Sequence, residues 1–184
     1  MIRIGICDEA EMDLQKHKGL LQDMIGKKCI NAEILCFQSG EALLLEIEQN
    51  RSMDIILMDV ELQGINGVET ARKIRETDTK TMLIFITRHE QYCKEIINVQ
   101  PFAYIDKPVF GDKLEEVVMR AIALSDSRDG MIRFFSRKKE YRISLRDIFY
   151  FESNKRKILV FCENKSYSFY QKLDEVEEEL KQYS

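Results

Sequence analysis

No stretch of the 184-residue sequence approaches the roughly 20 consecutive apolar residues that a membrane-spanning helix needs. The opening MIRIGIC is too short, and too quickly followed by acids, to read as a secretory signal. Cysteine is scarce and unpatterned: Cys7, Cys29, Cys36, Cys93 and Cys162 are odd in number and include no C-x-x-C pair. That argues against a disulfide framework and for buried thiols in a reducing compartment. Histidine is scarcer still. His17 and His89 have no partner at ligand spacing, so neither is a metal or catalytic candidate. Internal repeats and low-complexity tracts are absent too. These absences predict a cytoplasmic protein with no membrane partner.

What is present builds a core. Apolar residues make up 45% of the chain and charged residues 33%, which excludes a disordered or collagen-like polymer. The length suits one domain and part of a second. The net charge of −4 is unevenly spread. Residues 1–125 carry 15 basic and 21 acidic side chains, whereas residues 131–172 carry 11 and 4. An acidic body with a basic patch suits a chain that holds a cation at one end and meets a polyanion at the other. Local fluctuation of an ordinary solvated surface gives the same pattern.

The apolar periodicity sorts into two regimes. Residues 2–7, 32–37, 54–59, 81–87 and 102–106 are short apolar runs that read as strands. Between them lie amphipathic stretches: one with Leu14, Leu20, Leu21, Met24 and Ile25, one at 40–49 behind a Ser39 cap, one reaching about Glu76, and one from Glu90 to Val99 stopped by Pro101. A fifth runs from Phe110 to Leu124, with Leu114, Val117, Val118, Ala121 and Ile122 on one face. Alternating strands and helices imply a doubly wound α/β fold with a five-stranded parallel sheet over residues 1–124. The polar segment 125–130 reads as a linker. Beyond it, residues 131–184 hold short aromatic and β-branched runs divided by polar turns, then LDEVEEELKQY. That pattern predicts a mainly antiparallel β module with a short helix.

Right-handed crossovers place all five parallel strand ends on one edge of the sheet. That edge receives Asp8 and Glu9 after the first strand and Asp59 after the third. Clustered carboxylates persist only when protons or a cation neutralise them, and hard oxygen donors without His or Cys favour Mg2+. Acids after strands are also ordinary loop residues or helix caps. Thr87 and Lys107, at the ends of the fourth and fifth strands, tip the balance: a hydroxyl and an ammonium facing the carboxylates suit a phosphoryl group. Asp59 is then either ligand or nucleophile.

The residues ICDE at 6–9, LMD at 57–59, Thr87 and the segment from Tyr104 through Lys107 to Pro108 resemble the receiver domain of two-component response regulators, a flavodoxin-like fold. The resemblance covers residues 2–124. It implies that Asp59 accepts a phosphoryl group from a sensor histidine kinase. It further implies that Glu9, Asp59 and the main-chain carbonyl of Glu61 bind Mg2+, with Asp8 helping through water. Thr87 and Lys107 would read the phosphate, Tyr104 would be the aromatic switch, and the Lys107–Pro108 bond would be cis. Three positions depart from the pattern: Glu9 stands for the usual second Asp, Gln63 for a frequent Pro, which loosens the loop, and Arg88 for a small residue. Arg88 is placed to cover the phosphoryl group or to pair with Glu90.

Residues 134–180 resemble the first half of a LytTR-type DNA-binding domain, with Ile148, Tyr150, Phe151 and Glu152 matching its I-x-Y-I-E strand. That likeness makes the loop of Asn154, Lys155, Arg156 and Lys157 a DNA-contacting element on promoter DNA, with the basic segment Ser136–Lys139 secondary. The family's second half is not in the sequence. A truncated chain, a naturally short protein and two chains completing one another all fit. The combined expectation is a transcriptional response regulator that forms a homodimer on phosphorylation. Two alternatives stand beside it: a regulator whose β module docks a protein, and a Mg2+-dependent aspartyl-phosphate phosphohydrolase. The latter resembles D-x-D at its nucleophile, where this chain has Asp59-Val60-Glu61.

Overall fold

The computed structural model describes residues 1–49, 53–88, 90–128, 130–136, 139–162 and 165–181. His89 and, within the secondary basic segment, Arg137 and Lys138 lie outside them. The chain falls into two compact units, Met1–Ile122 and Ala123–Ser184.

The first unit follows the order β1 (Ile2–Cys7), α1 (Glu11–Lys28), β2 (Ala32–Phe37), α2 (Gly40–Gln49), β3 (Ile55–Met58), α3 (Gly67–Thr77), β4 (Met82–Thr87), α4 (Cys93–Ile97), β5 (Ala103–Asp106) and the first three turns of α5 (Gly111–Arg128). All four strand pairings are parallel, in the order β2-β1-β3-β4-β5. The central strands β3 and β4 are buried along their whole length, which is why they read as unbroken apolar runs.

Side chains alternate across this sheet into two cores. Ile2, Ile4, Ile6, Ile55, Leu57, Ile84 and Ile86 pack with Leu14, Leu21 and Met24 of α1 and Leu114, Val117 and Val118 of α5. Ile56, Met58, Leu83 and Phe85 pack on the other side with Leu43 of α2, Val68, Ala71 and Ile74 of α3, and Ile96 of α4. The strand order reverses between β1 and β3, which opens a crevice beyond their carboxyl ends.

Two boundaries differ from the sequence reading. The stretch before α4 is a 3-10 turn, Glu90–Tyr92, and α4 ends at Ile97 because Asn98, Val99 and Gln100 close tight turns onto Glu95, Ile96 and Ile97. Helix α5 runs on to Arg128, so much of the expected linker is helical. No glycine or proline interrupts it before Gly130, which adopts φ +69°.

The second unit contains a two-stranded antiparallel pair, β6 (Met131–Ser136) with β7 (Lys139–Ser144). It also contains a three-stranded antiparallel sheet in the order β10-β9-β8, formed by β8 (Ile148–Asn154), β9 (Lys157–Cys162) and β10 (Ser166–Tyr170). Helix α6 spans Leu173–Leu180. One core joins these pieces: Ile132, Phe134, Ile143, Ile158, Val160, Phe169 and Val176, with the Phe134 and Phe169 rings stacked at 4.4 Å.

Candidate functional site

Backbone hydrogen bonds set the positions of the strand-end residues. The Asp8 amide donates to the Phe37 carbonyl at 3.1 Å, and the Asp59 amide to the Cys7 carbonyl at 2.9 Å. The Lys107 amide donates to the Thr87 carbonyl at 3.0 Å, and the Lys107–Pro108 bond is cis. Asp8 Oδ1 accepts from the Ala10 amide at 2.9 Å, an Asx turn that opens α1. Asp59 Oδ1 accepts from the Val60 amide at 2.6 Å and the Glu61 amide at 3.4 Å.

The free carboxylate edges converge on one ammonium. Lys107 Nζ donates to Asp59 Oδ2 at 2.6 Å, Asp8 Oδ2 at 2.7 Å and Asp13 Oδ2 at 2.8 Å. The Lys107 side chain is 7% exposed, those of Asp8 and Asp59 3% and 10%, and that of Asp13 26%. Burial opposes the charge on Lys107, yet its bonds to Asp13, Asp59 and Asp8 prevail and hold its pKa well above that of an ordinary lysine. Burial pushes the Asp8 carboxyl up, against the pull of Lys107. The bond from Lys107 brings the Asp13 carboxyl down.

Asp13 is the residue that sequence reasoning missed. It stands in the first turn of α1, where an acid reads as a partner of the helix dipole. The Glu9 side chain is exposed, as is that of Glu61, whose expected contribution is its main-chain carbonyl. Among the described residues no group of three or more His, Cys, Asp or Glu side chains is set to hold a metal ion, so the expected three-carboxylate cage is not preformed. The donor set still fits a hard divalent cation. Asp8 and Asp59 offer only oxygen donors, and three carboxylates share the one Lys107 ammonium.

Thr87 is fully buried at the end of β4. It follows Phe85 by two residues, so it shares a sheet face with Tyr104, which pairs with Phe85 and packs against the core on the α2–α4 side. The loop after Asp59 is tied to the neighbouring elements. Gln63 forms an isolated parallel bridge with Ser39, and Glu41 accepts from the Ile65 amide at 3.0 Å. The loop ends in an Asn66–Glu69 capping box at the start of α3, where the Gly67 amide donates to the Val60 carbonyl at 2.9 Å.

In the second unit Asn154 and Lys157 pair across the β8–β9 hairpin, leaving Lys155 and Arg156 as a two-residue tip. All four side chains are exposed. Lys155 adopts φ +60°, and the Arg156 carbonyl accepts from the Gln171 amide at 3.1 Å.

The response regulator receiver domain family matches residues 6–119, and the LytTr DNA-binding domain family matches residues 138–184. The chain belongs to the response regulators. This response regulator is 22% identical over 182 residues to the transcriptional regulatory protein NatR of Bacillus subtilis, covering 98% of its own length and 76% of NatR. It is 33% identical over 125 residues to the sensory transduction protein LytT of Oceanobacillus iheyensis, covering 66% of its own length and 48% of LytT. Identity to the transcriptional regulatory protein LytR of Staphylococcus aureus is 30% over 124 residues, covering 67% of this chain and 48% of LytR. The match thus spans about half the length of LytT and LytR. Among solved structures, the response regulatory domain of protein mrkE from Klebsiella pneumoniae superposes with a TM-score of 0.62 at 20% identity, over 68% of this chain and 99% of that one. A CheY-like receiver from Methanospirillum hungatei gives 0.62 at 22%, over 69% and 98%. At those identities the likeness is one of fold. As a member of that family the regulator is not a typical enzyme, and no described helix is long and apolar enough to cross a membrane.

Proposed function

We propose that Asp59 is the phosphoacceptor of a two-component pathway and that the basic hairpin of the second unit binds promoter DNA. The convergence of Asp8, Asp59 and Lys107 carries the first part. A buried carboxylate beside a lysine that must stay charged is ready to attack an electrophilic phosphorus and to have the product's charge met. In the transfer an Asp59 oxygen bonds to the phosphorus of a histidine kinase's phosphohistidine while the P–N bond breaks.

Asp8, Glu9, Asp59 and the Glu61 carbonyl are the groups that would hold Mg2+, which supplies neutralisation of the phosphoryl oxygens. Lys107 then donates to one phosphoryl oxygen and the Thr87 hydroxyl to another. Movement of Thr87 toward the phosphate vacates space on the face it shares with Tyr104, which gives that ring a route inward. Water later hydrolyses the acyl phosphate slowly, so self-catalysis extends to phosphoryl transfer and this autodephosphorylation.

For the second unit, Asn154, Lys155, Arg156 and Lys157 present three cations and an amide at one exposed tip. Cations meet phosphates, while Arg and Asn also read base edges. In this reading the protein acts in the cytoplasm, and its phosphorylated form dimerises on promoter DNA.

Acetyl phosphate with Mg2+ tests the first part: the wild type takes up one phosphoryl group and Asp59→Asn none. Equal labelling of the variant would overturn the assignment. DNA titration across a salt series tests the second, with affinity falling as salt rises and with Arg156→Ala binding more weakly. A DNA affinity indifferent to both would favour a protein partner for the hairpin.

A further inference from the structure

The Lys107 ammonium has three N–H groups, and Asp8, Asp13 and Asp59 take one each. A phosphoryl group on Asp59 brings more anionic oxygen to Lys107 than the single N–H released by Asp59 Oδ2 can meet, so any further contact requires a second carboxylate to let go. Asp59 is itself the acceptor. Asp8 is buried, and its other oxygen is tied to the Ala10 amide. Asp13 is different. It comes from α1 rather than from a strand end, its side chain is 26% exposed, and the positive charge of Arg88 acts on it. Water can replace Lys107 as its partner at small cost.

We propose that Asp13 is a positioning residue that holds Lys107 in the resting state and is the partner displaced when the phosphoryl group arrives. The proposal rests on Asp59 being the acceptor. Two effects of opposite sign follow from the same charge. Asp13 adds one negative charge to the cluster, which draws a divalent cation in. That charge also repels an anionic phosphoryl donor and competes for the Lys107 N–H that the product needs. Neutralising it therefore weakens cation binding while speeding transfer once the cation is saturating.

The test measures both in Asp13→Asn. An NMR titration of the unphosphorylated protein with MgCl2 alone gives the half-saturation point, expected to rise roughly fivefold, the order of magnitude for losing one charge at a partly hydrated site. Labelling by acetyl phosphate at saturating Mg2+ is expected to accelerate by about the same factor. Asp13→Glu, which restores the charge, returns both values toward wild type. Glu11→Gln serves as the control, since Glu11 on the same turn accepts from Gln15 and Gln38 among the described residues, away from Lys107. An Asp13→Asn protein that changes neither value overturns the proposal, as does one whose maximal labelling rate falls. If the wild type takes up no label at all, the acceptor reading fails, and the MgCl2 titration still judges the electrostatic role of Asp13.

Discussion

A β-carbon placed on Gly67 would stand 2.0 Å from the carbonyl oxygen of Asp59. The first residue of α3 and the candidate acceptor are therefore packed backbone to backbone, with no room for any other residue type. Backbone atoms cannot swing aside as a flexible side chain does. Gly67→Ala is expected to cost about 1–3 kcal/mol, the range of overpacking in a close-packed interior. Urea unfolding would show it as a lower midpoint at unchanged slope.

Removing the ammonium should be worse. Lys107→Met leaves the buried Asp8 and Asp59 carboxylates and the half-buried Asp13 facing one another without their cation. Uncompensated buried charge costs roughly 3–5 kcal/mol. Millimolar MgCl2 is expected to restore part of the lost thermal stability, and to do so far more in this variant than in wild type. Parallel melts with and without the salt would show it.

His17 is buried on α1, and that burial pulls its pKa below the ordinary value; Asp8 and Asp13 push it up, and Lys107 and Lys16 push it down. The unfolded chain then binds the proton more readily than the fold does. The stabilising contribution is full above the unfolded pKa of about 6.5 and is lost as pH falls below it. His17→Gln should flatten the stability profile between about pH 7 and pH 5. Asp8, raised by burial, acts with the opposite sign but is present in both proteins, so their difference isolates the histidine.

Thiol chemistry should separate the cysteines. Burial, with the nearby charges of Asp8 and Asp59, pushes the Cys7 thiol up to about 12, whereas Cys29 is exposed at the end of α1. Iodoacetamide at mildly alkaline pH is expected to modify Cys29 readily and Cys7 only after unfolding, a pattern that peptide mass mapping reads directly.

At the hairpin tip, Lys155 holds a left-handed conformation that glycine adopts without cost. Lys155→Gly should stabilise the second unit by about 0.5–1 kcal/mol. It should also flatten the salt dependence of DNA affinity by roughly one counterion. Melting and DNA titration therefore move in opposite directions.

The parts of this molecule that a sequence reader can see are those that depend on periodicity and chain order. Runs such as IILM in β3 and MLIFIT in β4 are apolar without alternation because both their faces are covered. Parallel topology alone brings Asp8, Asp59, Thr87 and Lys107 to one edge. What escapes depends on rotation and on distant contacts. Asp13 reaches Lys107 because of how α1 is turned on its axis, and a first-turn acid carries no sign of that. Glu9, one residue past Asp8, sits exposed because neighbouring residues after a strand point different ways. The bridge from Gln63 to Ser39 is invisible for the same reason, since its partner lies on the approach to a different helix.

The alternation of β4 between two cores makes the length of that strand a coded quantity. Ile84 and Ile86 belong to the α1–α5 side, while Leu83 and Phe85 belong to the other. A one-residue deletion within β4 would reverse the facing of the residues that follow it and turn the Thr87 hydroxyl toward the layer that Tyr104 does not occupy. A two-residue change would preserve the facing and only shorten the strand. Insertions and deletions here are therefore tolerated by parity rather than by size, so descendants of this sequence can lengthen their loops one residue at a time but their central strands only in pairs.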